Sequence, residues 1–133
     1  QFLSIHADPK TDFPFFLGHA DEVGHGPGRG YNHNYPLPQG TGWDEWSSTL
    51  TEACEEISDY APDALVVSLG VDTFKHDPIS GFTLETEHYP RLGAEIAALN
   101  KPTLFVMEGG YAIEAIGVNT VNVLDGYNKA SAI

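Results

Sequence analysis

Ala64-Leu65-Val66-Val67-Ser68-Leu69 is an almost unbroken apolar run that stops at Gly70, the pattern of a short strand buried on both faces. Pro102 to Met107 repeats it, with Gly109-Gly110-Tyr111 close behind, and Phe2 to Ile5 reads as a further strand that delivers His6 and Asp8. Elsewhere the period changes. Trp43, Trp46, Leu50, Cys54, Ile57 and Ala61 recur at threes and fours, which predicts an amphipathic helix over 43–60. Thr41 can cap it, Asp44 and Glu45 suit its dipole, and Pro62 ends it. Tyr89, Leu92, Ile96 and Leu99 share a face of a second helix with Thr86 as its cap. A third helix is predicted to turn Ile113, Ile116, Val121 and Leu124 inward and to stop at Gly126.

Between the first strand and the first helix, residues 7–42 show no period apart from a possible short strand near Tyr31 to Leu37. This segment holds seven of the fourteen glycines and five of the nine prolines, yet also Phe13, Phe15, Phe16, Tyr31 and Tyr35. So much aromatic surface argues for a functional loop and against a linker. The remaining order, strand-helix repeats over 43–126, predicts an α/β fold with a parallel sheet and right-handed crossovers. In such sheets ligands gather beyond the carboxyl ends of the strands, so His6, Asp8, Asp72 and Tyr111 are expected to approach one crevice.

At 133 residues the chain suits a single domain. Nineteen acidic against six basic residues give a charge of −13, which argues against nucleic acid and favours cationic partners. A lone cysteine, Cys54, excludes an internal disulfide and reads as core packing. No apolar run reaches about 18 residues, so no membrane span is expected, and no secretion signal is visible, which reads as cytoplasmic. The chain opens inside a strand pattern without Met, as a piece of a longer protein would.

Asp72, two residues past the end of its strand, is the first candidate for chemistry; its other reading is the cap of a turn. His6-Ala7-Asp8 offers two metal-binding side chains, or else a histidine packed under the long loop and an aspartate starting a turn with Pro9. The string Gly24-His25-Gly26-Pro27-Gly28-Arg29-Gly30 lacks the spacing and the strand–helix context of a phosphate loop. His19, His25, His33, His76 and His88 form no ligand pair recognisable by spacing and read as surface residues. Tyr111 follows two glycines that let the backbone approach a ligand, and its phenol could donate to an oxygen gaining charge; it could equally pack at the head of the third helix.

Val67-Ser68-Leu69-Gly70-Val71-Asp72-Thr73-Phe74, Asp77-Pro78, Glu108-Gly109-Gly110-Tyr111, Ser4-Ile5-His6, Gly18-His19-Ala20-Asp21-Glu22-Val23-Gly24 and Asn34-Tyr35-Pro36-Leu37-Pro38 resemble, in order, the second half of the histone deacetylase and acetylpolyamine amidohydrolase family. The Phe13-Pro14-Phe15-Phe16-Leu17-Gly18 loop is most similar to the acetylpolyamine amidohydrolase branch. The resemblance implies a partial three-layer αβα parallel sheet, truncated at its N-terminus, and a zinc hydrolase that removes acetyl groups from small cationic amines. It places Asp72 on a zinc ligand and Tyr111 on the residue that stabilises the oxyanion. Phe13 and Ile79, with Gly109 and Gly110, fall on the substrate channel, and Ser4 and Ile5 border a potassium site. The family's Asp-x-His and tandem His-His motifs do not occur here. As an isolated chain the protein is therefore expected to hold no zinc usefully, to be inactive, and to self-associate through an open sheet edge. A non-catalytic α/β interaction module is the competing function. An arginase-like di-manganese hydrolase is a weaker one, because no D-x-D pattern surrounds Asp72.

Overall fold

The computed structural model describes residues 1–131. Its strands are β1 (Phe2–Ala7), β2 (Asn32–Leu37), β3 (Leu65–Leu69) and β4 (Thr103–Met107), and its helices α1 (Trp43–Tyr60), α2 (Tyr89–Ala98) and α3 (Ile113–Ser131). Single 3₁₀ turns occupy Gly26–Gly28 and Thr86–His88. None of the described helices is long and apolar enough to cross a membrane.

All strand pairing is parallel, but it forms two ribbons in place of the one sheet expected: β1 with β2, Ser4 opposite Asn34, and β3 with β4, Val67 opposite Phe105. The possible strand in the long loop is real and is the partner of β1. Hydrophobic pattern marks which segments are strands but not which edges meet, and this is where the single-sheet expectation departs from the structure.

The helices collect on one face. Phe105 stacks edge-on against Tyr127 of α3, their centroids 5.1 Å apart, and the core runs through Leu50, Leu69, Leu84, Tyr89, Leu92 and Val123. The outer face of β3 and β4 leaves Val66, Leu104 and Val106 exposed. Two predicted caps are displaced. Gly42, not Thr41, precedes α1. Thr41 instead accepts the Thr83 amide at its carbonyl, at 3.0 Å, so it ties the 81–84 loop to the helix start. Ahead of α2, the Glu85 amide donates to His88 Nδ1 at 2.9 Å, and Thr86 lies inside the turn.

The third helix shows the largest departure. Ile113, Val121 and Leu124, predicted to be inward, are exposed, Ile116 is half-buried, and the buried face is Asn119, Val123 and Gly126. The helix also runs through Gly126 to Ser131. The cause is a close crossing with α2: a Cβ on Gly93 would collide with the Val123 carbonyl, and one on Gly126 with the Pro90 carbonyl. Backbone proximity, not large apolar side chains, selects the inward face. Gly126→Ala is therefore expected to destabilise the protein by about 1–3 kcal/mol in urea titrations, through overpacking. Were Gly126 merely a residue of low helix propensity, alanine would stabilise by about 0.5–1 kcal/mol.

Candidate functional site

The pairing of β3 with β4 continues past the strand ends. Glu108 N–H donates to Leu69 O at 3.0 Å and Val71 N–H to Gly109 O at 2.8 Å, so Gly70-Val71-Asp72 runs beside Glu108-Gly109-Gly110-Tyr111. The Asp72 carboxylate fills the notch that two of these glycines leave. A Cβ on Gly70 would stand 2.8 Å from Oδ1, and one on Gly109 would collide with Oδ2. The group these glycines admit is thus a carboxylate of the chain itself. Gly110, at φ +143°, packs against Val71, whose Cγ2 would lie 2.7 Å from an added Cβ.

Asp72 is clamped from beneath. The fully buried Tyr89 of α2 donates its phenol proton to Val71 O at 3.2 Å and accepts from Thr73 Oγ1 at 3.0 Å, gripping the residue on each side of Asp72. Burial pushes the Asp72 carboxyl above the ordinary carboxylate range, a backbone hydrogen bond opposes this, and the charges of Asp77 and Glu108 add to the rise. Such surroundings favour any cation, proton included, that reaches the group.

Asp77 organises the rest, a role that sequence reasoning missed. Its buried carboxylate accepts Ile79 N–H at 2.9 Å and Ser80 N–H at 3.3 Å through Oδ1, and Tyr111 N–H at 2.8 Å through Oδ2. One side chain thereby fixes two candidate residues 32 positions apart, Ile79 and Tyr111. The available signal was the Asp-Pro pair, since aspartate readily bonds the amide two residues on.

Ser4, Ile5, Phe13, Asp72, Ile79, Gly109 and Tyr111 all line one open trough of about 1580 Å³; Gly110 does not. Phe13, Ile79 and Tyr111 are well exposed. His6 also borders the trough but is spoken for: its Nε2 donates to Gly18 O at 2.8 Å, so Nδ1 accepts from Ser4 Oγ at 2.7 Å. Asp8 accepts the Lys10 amide at 3.0 Å and starts a turn. For both residues the packing alternative is the one seen, and the crevice gathers His6, Asp72 and Tyr111 without Asp8. Among the other histidines, His33 pairs with Glu56 at 2.8 Å and His88 stacks on Trp43.

No three His, Cys, Asp or Glu side chains among the described residues are grouped to hold a metal ion. Asp72 is one donor where a zinc site needs at least three protein ligands, so these residues do not by themselves fit zinc. Ser4 gives only its hydroxyl proton to His6, so its oxygen lone pairs stay open to a cation at the trough that Ser4 and Ile5 both border. Asp77→Ala is expected to cost about 1–3 kcal/mol in denaturant, because it leaves three partly buried amides without their acceptor. It should also speed hydrogen exchange at the Tyr111 amide far more than at Val67; equal acceleration at both would refute the tethering role.

Residues 1–127 match the family model described as the histone deacetylase domain. Acetylpolyamine amidohydrolase 1 of Pseudomonas aeruginosa is 62% identical over 130 residues, which cover 98% of this chain and 38% of the relative. The acetylpolyamine aminohydrolase crystal structure from Burkholderia pseudomallei superposes with a TM-score of 0.93 at 41% identity, covering 96% of this chain and 37% of that one. An HDAC homologue from Aquifex aeolicus gives 0.85 at 27% identity, over 98% and 34%. The chain spans less than two-fifths of the length of the curated relatives it matches.

Proposed function

Since the chain belongs to the histone deacetylase domain family, with a partial α/β fold of the deacetylase type, we propose that it contributes half of an active site that hydrolyses acetylated amines. The observation that carries this reading is the convergence of Asp72 and Tyr111 on one trough, from the ends of two adjacent parallel strands. Relatives named as acetylpolyamine amidohydrolases favour small cationic acetylated amines as substrates. The charge of −13 suits such cations.

In this reading the Tyr111 phenol donates a hydrogen bond to the acetamide oxygen and holds it more tightly as negative charge develops there. The Asp77 carboxylate sets the Tyr111 backbone, so the donor is placed before substrate arrives. Phe13 and Ile79 offer apolar surface to the methylene chain of the amine. Asp72 supplies one carboxylate toward the family's zinc, and Ser4 and Ile5 border its potassium site; on their own these residues complete neither. The isolated chain accordingly holds zinc weakly and turns nothing over. Its bare outer face at Val66, Leu104 and Val106 promotes self-association. A cytoplasmic setting is consistent with a lone, free cysteine.

To test the reading, residues 1–127 are spliced into the Pseudomonas relative in place of its matched segment, and hydrolysis of acetylputrescine is followed. Tyr111→Phe is expected to lower kcat roughly 10²–10³-fold with little change in KM. An undiminished rate would remove the role given to Tyr111, and a folded chimera that is inactive before any substitution would favour the non-catalytic module. The isolated chain should bind less than one zinc per molecule by equilibrium dialysis, show no turnover, and scatter light as a dimer or larger. Stoichiometric zinc, measurable deacetylation, or a clean monomer at high concentration would each contradict the corresponding claim.

A further inference from the structure

Phe13 and Ile79 line the trough from two separate loops, one following β1 and the other following β3. Each loop is organised by one aspartate. Asp12 accepts the Phe13 amide on Oδ1 at 2.9 Å, donates its own amide to Asp8 O at 3.0 Å, and accepts Phe15 N–H at its carbonyl at 3.1 Å. Asp77 holds the Ile79 turn in the same manner, through the amides of Ile79 and Ser80. Among the described residues neither aspartate bonds the loop of the other. The turn from Pro38 to Thr41 joins them. Thr41 N–H closes it on Pro38 O at 3.2 Å, and Gly40 takes the φ of +83° that a side chain resists. Gly40 N–H then donates to Gly81 O at 2.8 Å and Thr83 N–H to Thr41 O at 3.0 Å, so backbone bonds fasten the turn to the Ile79 loop. From the turn the Gln39 stem lies against Gly81, where an added Cβ would stand 3.0 Å from Gln39 Cγ. Gln39 Nε2 reaches the other loop and donates to Asp12 Oδ2 at 3.4 Å. Asp12, Phe13, Ile79 and Ser80 all line the trough, and Gln39 does not.

We propose that Gln39 is a specificity-determining positioning residue: it braces the Phe13 loop against the Ile79 loop from behind, and the spacing it holds admits an unbranched methylene chain and excludes a bulkier amine. The inference rests on the reading of Phe13 and Ile79 as apolar surface for the acetylated amine. Asp12 transmits the brace, because the carboxylate that takes the Gln39 amide on one oxygen holds the Phe13 backbone with the other. The pairing works in one sense only, an amide N–H facing a carboxylate. At 3.4 Å and on an exposed side chain the contact is long, so it sets geometry and adds little stability, and Gln39 variants should fold.

The test uses the complete chimeric chain, with acetylputrescine as the slim probe and acetylbenzylamine as the bulky one. Gln39→Ala, which changes no charge, should raise kcat/KM for acetylbenzylamine relative to acetylputrescine by roughly fivefold or more, chiefly through KM. Gln39→Glu sets two carboxylates face to face and should do the same. Adding Asp12→Asn to Gln39→Glu restores a donor and an acceptor in the reverse sense, and should return the ratio to that of the unsubstituted chimera. Amide hydrogen exchange reads the brace without any turnover: in Gln39→Ala the Phe13 amide should exchange roughly threefold or more faster, with Val67 unchanged. An unchanged substrate ratio in Gln39→Ala, a double variant that is not rescued, or unaltered exchange at Phe13 would each overturn the proposal. An unsubstituted chimera that hydrolyses neither probe ends the function reading and the specificity with it, and exchange at Phe13 then decides the brace alone. Failure of the brace looks different, since the unsubstituted chimera is then active and the variants share its ratio.

Discussion

Two backbone hydrogen bonds just beyond the regular strands, from Glu108 to Leu69 and from Val71 to Gly109, bring the candidate chemistry together. They extend the β3–β4 pairing by a few residues and so force the segment that carries Asp72 to run beside the one that carries Tyr111. Backbone pairing of this kind leaves little freedom, because each buried amide or carbonyl that lost its partner would cost about 1–3 kcal/mol. The glycines follow from it: with the two segments in register, the Asp72 carboxylate must pass between Gly70 and Gly109, and neither position has room for a Cβ.

The helices serve that arrangement from below. Tyr89 of α2 grips Val71 and Thr73 with one hydroxyl, and α2 is itself held by α3 where Gly93 and Gly126 let the two backbones close together. Asp77 performs the corresponding task above the strands, binding the Ile79 turn to Tyr111. The site is thus positioned by buried groups that do not themselves line it in the chemical sense, and each acts through the backbone of a neighbour.

Much of this was legible in the residues. The apolar runs marked β1, β3 and β4, the threes and fours marked α1 and α2, and Asp72 and Tyr111 stood out because each follows a strand through glycine. Other features had no one-dimensional signal. The inward face of α3 is set by contact with α2, so its larger apolar residues Val121 and Leu124 misled, and Gly126 served as a crossing point although glycine usually marks a helix end. Thr41 has the chemistry of a cap, but its carbonyl was needed by the loop at Thr83. The division into two ribbons was hidden because strand periodicity records which faces are buried and is silent about which edges pair. Asp77 was visible only as half of a turn dipeptide, with its partner Tyr111 far away in the chain.

The central claim is geometric: Asp72 and Tyr111 share one cleft. It is tested most directly by joining them. In a Cys54→Ser background, cysteines at Asp72 and Tyr111 are treated with a short bifunctional thiol reagent, and the products are read by mass spectrometry. Rapid formation of an intramolecular bridge at low protein concentration is expected, faster than for a control pair at Asp72 and the outward-facing Val118. Exclusive formation of separate single adducts at positions 72 and 111, with no bridge, would contradict the account.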